Sequence, residues 1–411
     1  MKRSIKSIIG TLLTGLLWGF AIPLLSQTFS FDSLLVANRY EINLEEGRYS
    51  GSGLKFLAEK AAESQFFCIC EEHNVRELND LSSFLFNEYH NLYKYNYLVL
   101  EQGVAISSLY GATENRGDPA AIADIARRYP QSPTFATDEE LGLIATVGRI
   151  STSTINPVWG VDQDLGALHI LERLTELAPD KKAYDKAKSL ADMARRYEMD
   201  RINGDTLFLA MKATPELFDE LPELFNPKAG SEEAMLIEAL ERTTRIYYNN
   251  YLGRTGQLTL YESSREREHS MKLRFMESYR KAQSSGETLP IVMVKMGHYH
   301  LFRGIYRLNV PTFGNFLSEF AVSNGMSSFV ISSYVIEGPE EWRNSGGVLA
   351  EVAGDAAFTL IDFRPLRAYA NQNKIDKLSD GWKSLIFSTD AALIIRGGQT
   401  GSYEIVKSAV K

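Results

Sequence analysis

Cysteine is close to absent, with two in 411 residues. That excludes a disulfide-stapled scaffold. The two stand one residue apart, as Cys68 and Cys70. A zinc knuckle needs a wider gap and a second ligand pair. A bridge between strand residues two apart would be strained, so both read as buried free thiols. Histidine is also scarce, at six. Basic charge is in deficit: 44 Lys and Arg against 52 Asp and Glu, a net charge of −8. An acidic chain lacks the electrostatic footprint of a nucleic-acid binder. No Gly-x-Ser-x-Gly elbow and no phosphate-cradling P-loop is present, which removes the ordinary serine-hydrolase and nucleotide-binding routes. No repeat or low-complexity tract stands out. Hydrophobic residues at 44% and charged residues at 23% describe a packed globular chain of two or three structural units.

The first 26 residues read as a secretory signal. Lys2, Arg3 and Lys6 precede an apolar stretch from Ile8 to Leu25, and Ser26-Gln27 opens polar chain. No cysteine follows to carry a lipid. The expectation is a bacterial periplasmic or secreted protein with no stable membrane insertion after cleavage; the alternative is a retained anchor.

Beyond that segment, helical spacing over Leu54–Ser64 leads into the apolar run Phe66–Cys70. Arg76–His90 is helical and Tyr97–Leu100 is again apolar. Asp138–Ile150 is helical and Pro157–Val161 forms a third apolar run. Pro290–Val294 gives a fourth, with further β-rich runs at Ser328–Val335, Ala357–Ile361 and Ala391–Ile395. Short continuous apolar runs alternating with helices predict an α/β fold: a mainly parallel β-sheet flanked by helices, each strand buried on both faces. Between the third and fourth runs, residues 165–284 are almost wholly helical, too long for one crossover. They read as a large helical insertion or cap between a first part of the α/β domain (27–164) and a second part (285–411). Tyr247, Tyr248, Tyr251 and Tyr261 in that block read as aromatic core. His90 and His169 read as core residues and His269 as solvent-facing.

Ligands of open α/β sheets bind beyond the carboxyl ends of the strands. Here the first run ends in Glu71-Glu72-His73, the second in Glu101-Gln102-Gly103 and the third in Asp162-Gln163-Asp164. The fourth ends in Lys295-Met296-Gly297-His298-Tyr299-His300. Alternation would place Glu71 with His73, and His298 with His300, on shared faces. Three of the six histidines thus fall on one predicted edge with several acids. A histidine held by a carboxylate can act as a general base. The same residue types can instead hold a divalent metal through Glu71, His73 and His300, or present axial histidines to haem.

Five short elements, in order, resemble the erythromycin esterase family and its wider relatives, the haem-binding lipoproteins and Tiki-type metalloproteases. They are Cys70-Glu71-Glu72-His73 with Glu77, Leu98-Val99-Leu100-Glu101, Trp159-Gly160-Val161-Asp162, Arg267-Glu268-His269-Ser270-Met271 and Gly297-His298-Tyr299-His300. The resemblance spans about Leu54 to Leu317, with a terminal echo at Asp390-Ala391-Ala392. Three features depart from the esterase pattern: Cys70 stands for Gly, one residue rather than two separates Glu71 from His73, and His-Tyr-His replaces His-Asn-x-His. The resemblance implies a hydrolase of an ester, lactone or related acyl bond in a small molecule, with no cofactor. His73 would be the base, Glu71 or Glu101 its orienting acid, and His298 or His300 the group that polarises the carbonyl. Asp162, Arg267 and Glu77 would serve substrate binding. The wider relatives keep open a metal-dependent peptidase or a haem-binding protein.

Overall fold

The computed structural model of the chain describes residues 30–130, 132–202, 208–306, 309–342, 345–374 and 378–407. The segment read as a secretory signal lies outside the described residues. Eleven strands are present among them: β1 (Arg39–Glu45), β2 (Arg48–Ser50), β3 (Ser64–Glu71), β4 (Tyr97–Gly103), β5 (Val158–Asp162), β6 (Val292–Gly297), β7 (Ile305–Tyr306), β8 (Val310–Pro311), β9 (Ser327–Ile336), β10 (Phe358–Asp362) and β11 (Ala391–Arg396). Nine of them form one sheet in the order β2-β1-β10-β11-β9-β3-β6-β4-β5, while β7 and β8 pair separately.

The six strands from β11 to β5 are mutually parallel, and β10, β1 and β2 extend the sheet antiparallel. All the apolar runs predicted as strands are strands. The β1–β2 hairpin was not expected: Arg39–Glu45 holds no continuous apolar run, its polar and apolar residues alternate as in a half-buried edge strand, and only Ile42 is buried.

β3 explains why a continuous apolar run is needed. Phe67 and Ile69 face one core, with Leu78, Leu85 and Phe86 of the helix Arg76–Tyr93 and Leu141 and Ile144 of the helix Asp138–Ile150. Phe66, Cys68 and Cys70 face the other, with Met271, Phe275 and Tyr279 of the helix Leu260–Ser284 and Leu317 of the helix Phe313–Ser323. Both thiols are free and buried, and burial pushes Cys68 up to about 12. His90 is buried against the Tyr95 carbonyl, and His169 against Asp164.

The chain runs outward from β3 to β4 and β5, then returns to lay β6 between β3 and β4. That reversal is a topological switch point, where strand ends separate and leave a crevice. In the intervening block, the helices Leu168–Leu177, Lys181–Ile202, Glu220–Phe225 and Glu232–Arg254 build an apolar core of their own, which meets Ala105 in the turn of helix after β4. The helix Leu260–Ser284 leaves that core and covers the sheet. Tyr251 and Tyr261 do not pack as core: they are 56% and 38% exposed.

Candidate active site

β3, β6 and β4 end side by side, with Glu71 in register with Gly297 and Leu100 with Lys295. The crevice above them is a cleft of about 460 Å³ lined by Glu71, Glu72, His73, Glu101, Arg267 and the turn from Gly297 to His300, with Phe302 and Tyr334 at its side. Gly297 is there because nothing larger fits. A Cβ on it would lie 2.8 Å from His73 Nε2 and 3.0 Å from Glu101 Oε2.

His73 follows β3 and is 38% exposed, with Nδ1 3.4 Å from Glu71 Oε1 and Nε2 4.0 Å from Glu101 Oε2. The Glu71 contact is longer than a well-formed hydrogen bond. The ring stacks on Phe135 at 4.1 Å between centroids. Gln102 holds that loop: its amide donates to the Phe135 carbonyl at 2.6 Å and its oxygen accepts from the Thr134 N–H at 2.9 Å. Burial lowers the His73 pKa, but Glu71 and then Glu101 outweigh it and set it above the ordinary value.

Glu101 is buried at the end of β4. It accepts from the Gly297 N–H at 2.8 Å and from Arg267 at 3.0 Å, and His300 Nε2 lies 3.4 Å away. Burial alone would raise its pKa. His300, Arg267 and His73 reverse that and hold it well below the usual carboxylate range. Arg267 also grips Asp162, with Nε 2.9 Å from Oδ1. Asp162 therefore lies behind Arg267 and anchors it; it does not line the cleft.

His298 and His300 are not on a strand. They sit on one helical turn, His298–Leu301, so their rings diverge. His298 Nε2 is 2.9 Å from the Ser333 carbonyl. A carbonyl only accepts, so Nε2 carries the proton. Burial lowers the His298 pKa, and the ring is neutral. His300 Nδ1 donates to Glu268 Oε1 at 2.6 Å, and Glu268 also accepts from the Phe313 N–H at 2.6 Å. Burial and Arg267 pull the His300 pKa down, yet Glu101 and Glu268 bring it up to about 9. At neutral pH His300 is an imidazolium between two carboxylates.

Glu77 is outside the cleft. Its Oε2 accepts from the Gln399 N–H at 2.8 Å and ties the C-terminal segment to the helix after β3. Its place four residues from His73 turns it away around the helix.

Sequence reasoning missed Lys295, Glu140 and Glu268. Lys295 is fully buried on β6, paired with Glu71 and, at 2.7 Å, with Glu140. Its signal was a single cation inside the apolar stretch Val292–Met296. Glu140 looked like an ordinary acid in the first turn of a helix, where the dipole favours one.

Donor atoms of Glu71, His73 and Glu101 lie within 4.8 Å of one another, a grouping of metal-ligating type. It is not the set Glu71, His73 and His300 expected from sequence, because both His300 nitrogens face carboxylates. The grouping does not fit a resident divalent ion. Its two carboxylates are already neutralised by Lys295, Arg267 and His300, and a further cation would sit beside three others. Haem ligation by the late histidines fits no better, since His298 Nε2 and both His300 nitrogens are engaged.

No protein-family profile and no curated protein matches the sequence. Solved structures do match. An erythromycin esterase, EreC, in its open conformation aligns over 89% of this chain and 99% of its own, at 12% identity and a TM-score of 0.56. The chain has the fold of an erythromycin esterase. A succinoglycan biosynthesis protein shares that fold over 90% of this chain and 97% of its own, at 15% identity and a TM-score of 0.55. So does a Bacillus cereus protein, over 90% and 98%, at 14% identity and a TM-score of 0.52. No described helix is long and apolar enough to cross a membrane.

Proposed function

We propose that the cleft hydrolyses an ester, lactone or related acyl bond of a small molecule, with His73 as general base. The observation that supports this most is the pairing across Gly297. A half-exposed imidazole is backed by a carboxylate on Nδ1, and it faces a cationic pair, Arg267 and the His300 imidazolium. Nδ1–H turned to Glu71 leaves the Nε2 lone pair toward the cleft. As water attacks the carbonyl carbon, Nε2 takes its proton and the carbonyl π electrons move to oxygen. His300 Nε2–H and Arg267 stabilise that oxyanion; the 3.4 Å contact from His300 to Glu101 is long enough to be traded for one to substrate. Collapse expels the alkoxide, which takes the proton back from His73. The likeness to EreC supports the reaction class, and the polar cleft supports a small-molecule substrate. The N-terminal basic-then-apolar segment supports export to the periplasm or beyond.

The test is a panel of p-nitrophenyl esters and macrocyclic lactones with the full chain, His73→Asn and Arg267→Ala. Turnover lost in both variants, with folding retained, supports the reading. A variant that loses activity and a bound ion together, and regains activity with excess metal, favours the metal-dependent alternative instead.

A further inference from the structure

Lys295 is a fully buried lysine in the middle of an apolar sheet. Neighbours in register with it are Ile69 on β3 and Leu100 on β4. Desolvating an ammonium there is costly, and an apolar pair in place of a buried ion pair is often at least as stable. Its retention calls for a reason other than packing. The ammonium bridges two carboxylates from different elements. One is Glu71 Oε2, whose other oxygen faces His73 Nδ1; the second is Glu140, in the first turn of a helix capped by Thr137. Glu140 thus holds the ammonium from below, and the ammonium holds Glu71 from the side opposite His73.

We propose that Lys295, seated on Glu140, is a positioning residue: it fixes the Glu71 carboxylate so that Oε1 is presented to His73. The inference rests on the role given to His73 above. The titratable and charged groups around that ring are Glu71, Glu101, Lys295, Glu140 and His298, with Arg267 and His300 across the cleft. Glu71 and Glu101 favour its protonated form and Lys295 opposes it. Without the ammonium, the Glu71–His73 pair gives up its shared proton less readily, whichever member carries it. The base form is then reached only at higher pH. A lysine that served packing alone would leave that titration where it is.

The experiment replaces the buried pair together, as Lys295→Met with Glu140→Leu, so that Glu140 is not left buried without its ammonium and Glu71 alone loses a partner; Lys295→Gln with Glu140→Gln is the second version should the first not fold. Two readouts are taken on the full chain: turnover of p-nitrophenyl acetate against pH, and the His73 imidazole titration by NMR, assigned by its disappearance in His73→Asn. The expected result is a folded protein with kcat lower by about 10–100-fold, the range for lost support of a site residue. KM should be little changed, and the His73 titration should move up by less than about one pH unit, because the ammonium lies directly on Glu71 while the Glu140 carboxylate lost with it offsets only part of its effect. A folded double variant with unchanged kcat and unchanged His73 titration overturns the proposal. Should wild type not turn over the ester, or should His73→Asn keep full activity, the hydrolase reading fails. The NMR titration then still decides the role of Lys295, an upward shift supporting it and no shift overturning it.

Discussion

Gly297 carries more of the site than any charged residue, because β6 passes between two strands whose terminal acids must both reach His73. Its missing Cβ is what lets Glu101 accept the Gly297 N–H while His73 lies overhead. Gly297→Ala puts a methyl 2.8 Å from His73 Nε2. The expected outcome is a folded protein destabilised by about 1–3 kcal/mol, as for an overpacked core, with turnover lost because the ring is displaced. Circular dichroism melting together with ester hydrolysis checks both parts. His300 gives a prediction in pH. Its folded pKa of about 9 lies above the ordinary histidine value, so its ion pairs stabilise the protein fully below about pH 6.5 and lose that contribution as pH rises through about 9. The gap in Tm between wild type and His300→Asn should therefore be wide near neutrality and close by about pH 10. A gap that is constant or widens with pH contradicts the assignment of His300 as an imidazolium.

The element that ties the site to the core is the helix Leu260–Ser284. Its first half supplies Arg267 and Glu268; two turns on, Phe275 is fully buried against Phe66, Trp159 and Phe313. Phe275→Ala should cost about 3–5 kcal/mol of stability, the usual cost of emptying a buried aromatic position, measured by urea unfolding. Turnover below the transition should fall too, since the helix that aims Arg267 loses its anchor. Sequence reading served unevenly at this scale. β3, β4, β5 and β6 were legible because strands buried on both faces leave an uninterrupted apolar run, and Glu71, Glu101 and His73 followed as the polar residues ending those runs. The turn His298–Leu301 was not legible: four residues carry no period, so His298 and His300 were placed on a shared face when helical geometry sends one to Ser333 and the other to Glu268. Lys295 escaped for the opposite reason. The strand continues past Val294 to Gly297, and a lysine read as the first residue of a loop is the fourth residue of the strand, inside the sheet.

At the scale of the whole molecule, the sheet draws its site strands from both flanks of the helical block, so the cleft forms only when the chain has closed around residues 165–284. Of the residues lining that cleft, only Arg267 comes from the block. The charge pattern is local: three cations, Lys295, Arg267 and His300, face the acids at the strand ends, in a chain whose net charge is −8. That pattern sets the expected response to chelation. Dialysis against EDTA should leave turnover within about twofold, because the carboxylates that would bind an ion already have protein partners. Loss of activity restored by zinc would contradict the metal-free account. The central claim is that His73 takes a proton from water. The most direct measurement is the pH dependence of kcat/KM for p-nitrophenyl acetate in wild type and His73→Asn. The account predicts a kcat/KM that rises with pH through the His73 ionisation, above the ordinary histidine value, and falls again as His300 loses its proton near pH 9, and a His73→Asn protein that folds but is slower by on the order of 10²–10⁴-fold without the rising ionisation. A folded His73→Asn protein that keeps both the rate and the ionisation would contradict it.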